Sequence, residues 1–88
     1  MPESQIEVIN KAGLHARAAA KLAQLSGRYA SEIKVGHEKM VDGKSILSLM
    51  MLAAVKGTML TVVTNGPDED EAMAAIIELF KNRFDEAE

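Results

Sequence analysis

Thr58-Met59-Leu60-Thr61-Val62-Val63-Thr64 decides the fold, and the turn Asn65-Gly66-Pro67 follows it at once. A high content of β-branched residues makes this the best strand of the chain. Beyond the turn, the acidic run Asp68-Glu69-Asp70-Glu71 suits the positive end of a helix dipole. The helix it opens carries an apolar stripe of Ala72, Met73, Ile76, Ile77, Phe80 and Phe84, with Lys81 and Arg83 near its negative end. Upstream, Ser45 caps a helix expected from Ile46 to about Val55, which Gly57 ends. Before it, Glu32 to Val35 and Lys39 to Val41 read as short strands joined by the turn Gly36-His37-Glu38-Lys39, with Ile33 and Val35 inward. Near the start, Ser4 to Asn10 alternates as a strand, Lys11-Ala12-Gly13 breaks it, and Ala16 to Ser26 forms a helix stopped by Gly27.

The order is β-α-β-β-α-β-α. Short alternating strands favour an antiparallel sheet with one face covered by helices, an α/β (α+β) two-layer open-faced sandwich. Residues 1–88 are expected to form a single domain, with one modest core and no linker or repeat. Phe80, Phe84 and Tyr29 are the only aromatic residues, so aliphatic side chains and Met must fill that core.

Composition excludes several classes of function. The chain has no cysteine, which removes disulfides, thiolate zinc sites and cysteine nucleophiles. A net charge of -3 argues against broad nucleic-acid binding. No apolar run approaches the ~20 residues of a membrane span, and Met1-Pro2-Glu3-Ser4-Gln5 has no secretion-signal character. A cytoplasmic protein without membrane insertion is expected. A domain this small rarely encloses a pocket of ~300 Å³. Its chemistry should therefore sit at the surface, completed by a partner protein, and nothing in the sequence calls for a cofactor or a metal.

Gly13-Leu14-His15-Ala16-Arg17 carries the chemistry. His15 stands where an N-cap would be. The backbone N–H groups of Ala16, Arg17 and Ala18 are expected to be unpaired in the first turn and to point outward. Free donors and the dipole together make a helix start an anion site, and the planar fork of Arg17 matches phosphate oxygens. An imidazole, with an unperturbed pKa of ~6.5, is both a nucleophile and a good leaving group near neutral pH. On its own, a His before a helix is as often a mere cap, and an isolated Arg is more often just solvated. The five residues together shift the balance towards a phosphoryl acceptor.

That string resembles the active-site signature of the histidine-containing phosphocarrier (HPr) family of the bacterial phosphoenolpyruvate-dependent phosphotransferase system. Gly43-Lys44-Ser45-Ile46-Leu47 is similar to the family's regulatory-serine segment, and Asn65-Gly66-Pro67 leads into a similar last helix. The resemblance runs over nearly the whole chain. It implies a four-stranded sheet in the order 1-4-2-3 under three helices. It implies further that His15 is phosphorylated on Nδ1 by enzyme I, itself charged from phosphoenolpyruvate. The phosphoryl group would then pass to an EIIA domain, with Arg17 steadying it in transit. Ser45 matches the serine that a dedicated kinase, the HPr kinase/phosphorylase, modifies in many bacteria. Ala18 stands where many members have proline, a first-turn position where both are tolerated. Ala18 and the stretch from Gly66 to Ile77 also resemble the family's nitrogen-regulatory paralogue, so the sugar and nitrogen branches both stay open.

Ser45 is in any case a good N-cap, worth about 1 kcal/mol. The helix after it is apolar nearly all round, so part of it must face water. Ile46, Leu47 and Met50 are expected to be exposed as a docking patch. Arg17, Lys21, Gln24 and Arg28 share a helical face suited to acidic partners, although Gln24 and Gly27 replace lysines of some family members. Transient exchange of partners favours a monomer. The alternative from another class is a regulatory binding module governed by Ser45 phosphorylation, and a plain ferredoxin-like binding domain is more distant. His37 reads as a surface turn residue.

Overall fold

The computed structural model describes residues 1–87. The strands are β1 (Glu3–Glu7), β2 (Glu32–Gly36), β3 (Met40–Asp42) and β4 (Met59–Asn65). The helices are α1 (Ala16–Ser26), α2 (Ile46–Met50) and α3 (Glu69–Lys81), and a turn over Arg83–Asp85 closes the chain. The strands form one antiparallel sheet in the order β1-β4-β2-β3, and the molecule is the open-faced α/β sandwich expected. Period-two alternation selects the inner face: Leu60, Val62 and Thr64 of β4 are fully buried, as are Ile33 and Val35 of β2. Val35 sits at the middle of the sheet, opposite Val62 on one side and Val41 on the other.

α1 buries Ala18, Ala19, Leu22 and Ala23, and α3 buries Ala72, Met73, Ile76 and Phe80. Each fully buried large apolar side chain stabilises by roughly 1.5–3 kcal/mol. The rings of Phe80 and Phe84 lie 4.9 Å apart at 59°. This tilted pair contributes about 0.5–1.5 kcal/mol beyond its burial.

Several boundaries differ from the sequence reading, each for a local reason. β1 ends at Glu7, because Asn10 turns away to close a loop: Gly13 N–H donates to its carbonyl at 3.1 Å, and its own Nδ2 donates to Gly13 O at 2.7 Å. β3 is shifted one residue onward, since Gly36 belongs to β2 and pairs with Met40. A side chain at Gly36 would meet the Lys39 carbonyl at 2.1 Å, so the tight return of the chain requires glycine there. β4 is likewise shifted by one residue. α1 has the predicted bounds, but Gly27 ends it with a helical φ of -66° rather than a left-handed one.

α2 stops at Met50 instead of Val55. Beyond it Ala53 takes a φ of 51°, and Ala54 turns inward so that its carbonyl accepts from Leu14 N–H at 2.9 Å. A run that is apolar all round gives a helix no single face to hold, and the contact with the His15 loop decides where it ends.

α3 begins at Glu69, and Asp68 caps it through its carbonyl, which accepts from Ala72 N–H at 2.9 Å, and not through its side chain. The Asp68 carboxylate instead accepts from Ala30 N–H and Ser31 N–H, both at 2.9 Å, and from Ser31 Oγ at 2.5 Å. The Ser31 hydroxyl above all, then the Ala30 amide, hold its carboxyl below the ordinary value of 3.8. A depressed carboxyl stabilises the fold above its unfolded pKa, and that stability is lost as pH falls through the folded value. Asp68→Asn should therefore lower the urea midpoint at neutral pH, with the two proteins converging as the pH falls through the depressed Asp68 pKa. Equal midpoints at neutral pH would refute the clip.

Phe84 does not extend the helical stripe. α3 ends at Lys81, and Arg83, Phe84 and Asp85 all have left-handed φ values of 54°, 55° and 64°. The ring still reaches the core, with 1% exposure, but from a turn that sends the chain back towards the start of α1.

Candidate functional site

Gly13 sets the entry to α1. Its φ of 71° is left-handed, and a Cβ there would come within 2.5 Å of the Ala54 carbonyl, so only glycine fits. Leu14 is buried behind it, pinned by its N–H to Ala54. His15 follows in extended conformation and caps the helix twice: its carbonyl accepts from Ala19 N–H at 2.8 Å, and its Nδ1 accepts from Arg17 N–H at 3.3 Å. The ring is half-buried.

Of the three backbone N–H groups expected at this helix start, that of Arg17 is not free. Arg17 N–H is already engaged by Nδ1 of His15. Ala16 is exposed, whereas the Ala18 side chain belongs to the core. Nδ1 thus lies in the first turn, directed at a backbone donor, with its lone pair in use as an acceptor.

Glu86 was not foreseen. Its carboxylate meets His15 Nε2, and its second oxygen accepts from Asn10 Nδ2 at 3.1 Å. Burial pushes the Glu86 carboxyl up, but the hydrogen bonds from Asn10 and His15 and the electrostatic pull of His15 and Arg17 together hold it below its ordinary value. Next to it, Asp85 accepts from Lys21 Nζ at 3.3 Å. An open cleft of about 820 Å³ is lined by Lys11, Ala12, Arg17, Lys21, Asp85, Glu86 and Ala87. Three cations and two carboxylates line it, and Lys21 is paired with Asp85. Among the described residues, no group of three or more His, Asp or Glu is placed to hold a metal.

The other sequence candidates lie away from the ring's own contacts. Gln24 and Arg28 are exposed, and Arg28 falls beyond the end of α1. Ser45 Oγ accepts from Ser48 N–H at 3.2 Å, the cap expected of it. Ile46, Leu47 and Met50 are 42%, 70% and 42% exposed, and Met51 and Val55 add 75% and 66%. His37 is a surface turn residue whose Nε2 lies 3.4 Å from the Leu52 carbonyl.

No sequence signal marks Glu86, which is 71 positions from His15 and arrives through the left-handed turn. Asn10 was read as the last residue of a strand.

The family described as "PTS HPr component phosphorylation site" matches residues 2–82. Phosphocarrier protein HPr of Pseudomonas aeruginosa is 57% identical, with both chains covered in full. Phosphocarrier protein NPr of Klebsiella oxytoca is 40% identical over 92% of each chain. A crystal structure of HPr-C-His from Thermoanaerobacter tengcongensis superposes with a TM-score of 0.95 at 38% identity, and all of both chains is covered.

Proposed function

This chain belongs to the HPr family of phosphotransferase-system phosphocarriers, and on that premise we propose that His15 Nδ1 is the atom that carries the phosphoryl group. Enzyme I, charged from phosphoenolpyruvate, is the donor. An EIIA domain in sugar uptake is the acceptor, and the chain works as a cytoplasmic monomer. As a phosphocarrier rather than a catalytic enzyme, it relies on its partners for the rest of each active site.

The observation that carries this reading is the placement of Nδ1. It is an acceptor nitrogen at the start of α1, aimed at Arg17 N–H, and the Arg17 side chain lines the open cleft nearby. Phosphoryl transfer needs alignment and charge neutralisation more than additional covalent groups. Once phosphorus sits on Nδ1, the N–H of Arg17 becomes a donor to a phosphoryl oxygen, with Ala16 and Ala18 N–H in the same turn. The Arg17 guanidinium supplies charge.

The exposed Ile46, Leu47 and Met50 form the docking patch, with Lys21 and Gln24 on the flanking helix α1. Leu47→Asp is expected to lower kcat/KM for charging by enzyme I roughly tenfold or more, since apolar anchors carry most of a docking energy. The melting temperature should stay within about 2 °C, because Leu47 stands free of the core. An unchanged kcat/KM would remove the patch from the interface. Ser45 is the regulatory site for the HPr kinase/phosphorylase. A phosphate there suits the helix start but sets up to two negative charges beside the apolar patch.

The nitrogen cascade is the second reading, favoured by Ala18 and the NPr similarity. The experiment is to charge the protein with enzyme I, phosphoenolpyruvate and magnesium, take its intact mass, and offer it EIIA domains of both branches. One acid-labile phosphate handed to the sugar EIIA supports the first reading. Preference for the nitrogen-branch EIIA supports the second. No phosphate, with an enzyme I that charges a control carrier, overturns both and leaves the Ser45 binding module.

A further inference from the structure

We propose that Glu86 is a positioning residue that keeps the His15 hydrogen on Nε2, with Asn10 fixing how the carboxylate faces the ring. This leaves Nδ1 without a hydrogen, with a lone pair that phosphorus takes over from the Arg17 N–H contact. The inference deepens the phosphocarrier reading and rests on it for its kinetic consequences.

Two partners on opposite sides of the ring agree on the tautomer. Arg17 N–H donates to Nδ1, so that nitrogen bears no hydrogen. The Glu86 carboxylate is an acceptor only, so Nε2 must donate to it. Asn10 is fully buried, and its Nδ2 donates both to Gly13 O at 2.7 Å and to Glu86 Oε1 at 3.1 Å. Turning that amide over would set its oxygen against the Gly13 carbonyl and the Glu86 oxygen, two acceptors. The donor face is therefore locked towards Glu86, even though Asn10 Oδ1 finds no partner.

The chain reaches this arrangement at a conformational cost. Arg83, Phe84 and Asp85 are consecutive non-glycine residues in the left-handed region, an unfavourable backbone for L side chains. Phe84 anchors the turn in the core, and the Asp85–Lys21 contact ties it to α1. Strain held in place by packing, and ending on a nucleophile, points to a function for the residue delivered. The charged groups around the pair are Arg17 and Lys21 of α1, Lys11 of the loop, and Asp85 of the turn.

The transfer balances without a proton leaving the ring. The Nδ1 lone pair forms the P–N bond, and the bond from phosphorus to the donor breaks with its electron pair leaving on the donor. Nε2 keeps its hydrogen, so the ring becomes cationic against the Glu86 carboxylate. Onward transfer returns the P–N pair to Nδ1 and restores the same neutral tautomer.

The test compares Glu86→Ala with Glu86→Gln, by ¹⁵N NMR of the His15 ring at alkaline pH and by the rate of charging from enzyme I. In Glu86→Gln, Asn10 Nδ2 claims the amide oxygen and leaves the NH₂ facing Nε2. That nitrogen must then accept, and the hydrogen moves to Nδ1. Wild type should show the hydrogen on Nε2, Glu86→Ala a mixture, and Glu86→Gln the hydrogen on Nδ1. Glu86→Gln should charge more slowly than Glu86→Ala, roughly tenfold or more below wild type, as expected for losing a hydrogen bond to a charged group. Adding Asn10→Ala to Glu86→Gln should restore the Glu86→Ala rate. A Glu86→Gln rate at or above that of Glu86→Ala, or a wild-type hydrogen on Nδ1, overturns the proposal. A purely structural tail would rank the near-isosteric Gln above Ala. If wild type takes no phosphate, the carrier reading fails instead, and the ring signals alone decide for or against Glu86.

Discussion

His15→Ala is expected to abolish phosphoryl acceptance from enzyme I, with no added mass after a charging time that saturates wild type. Among the described residues, no other side chain combines a nucleophilic nitrogen with this setting. His37 is exposed in the β2–β3 turn, beside Glu38 and away from the Arg17 cleft. The Ser45 hydroxyl forms a far more inert ester. The fold should survive, because the ring is partly exposed and its cap is a long 3.3 Å contact. A loss of about 1 kcal/mol, typical of a removed N-cap, is the expected stability change. Circular dichroism melts and intact mass on the same preparation separate the two effects. Residual phosphate on the variant would move the acceptor to another residue.

Phe84→Ala is expected to be the most damaging change to the fold. The ring is 1% exposed and stacks at a tilt on Phe80, 4.9 Å between centroids. Truncating a buried Phe costs roughly 3–5 kcal/mol, a large part of the 5–15 kcal/mol that holds an ordinary domain together. In a chain of this size the melting temperature should fall by about 12 °C or more. A second effect is local. Phe84 anchors the left-handed turn, so its loss should free Glu86 from Asn10 and His15 and let the Glu86 carboxyl return towards its ordinary range. Phe84→Leu keeps most of the volume and should lose less than half as much. A melting temperature within about 2 °C of wild type would show that the closing turn is not part of the core.

The sequence made the fold legible wherever punctuation and periodicity coincide. Helix α1 has a histidine cap, an Ala- and Leu-rich body and a closing glycine, and its bounds were read to the residue. The alternation of Ile33 and Val35 likewise marks the inner face of β2. Legibility failed where tertiary contacts override local pattern. Nothing in an all-apolar run says that Ala54 must turn back to receive Leu14 N–H, so the pattern predicts an α2 five residues too long. Phe84 fits the helical stripe of α3 by spacing, yet it stands outside the helix, in a left-handed turn that no glycine announces.

The same division holds at the candidate site. His15 and Arg17 lie two positions apart, so the loop that presents one presents the other, and their chemistry is readable as a string. Glu86 and Asn10 meet His15 only through the closing turn and the loop that Gly13 permits. Both were invisible because the first sits in an ordinary acidic tail and the second ends an alternating segment. The exposed faces of Ile46, Leu47 and Met50 were legible for the opposite reason: a short helix on a single sheet has too many apolar faces to bury.

The most direct measurement is the site of phosphorus in the charged protein. Protein labelled with ¹⁵N in histidine, charged by enzyme I and phosphoenolpyruvate, is observed by ³¹P and ¹⁵N NMR. One phosphorus signal with a one-bond coupling to His15 Nδ1 is the predicted result. Coupling to Nε2, phosphorus on His37 or on an oxygen such as that of Ser45, or no phosphorus at all would contradict the assignment of Nδ1 as the carrier atom.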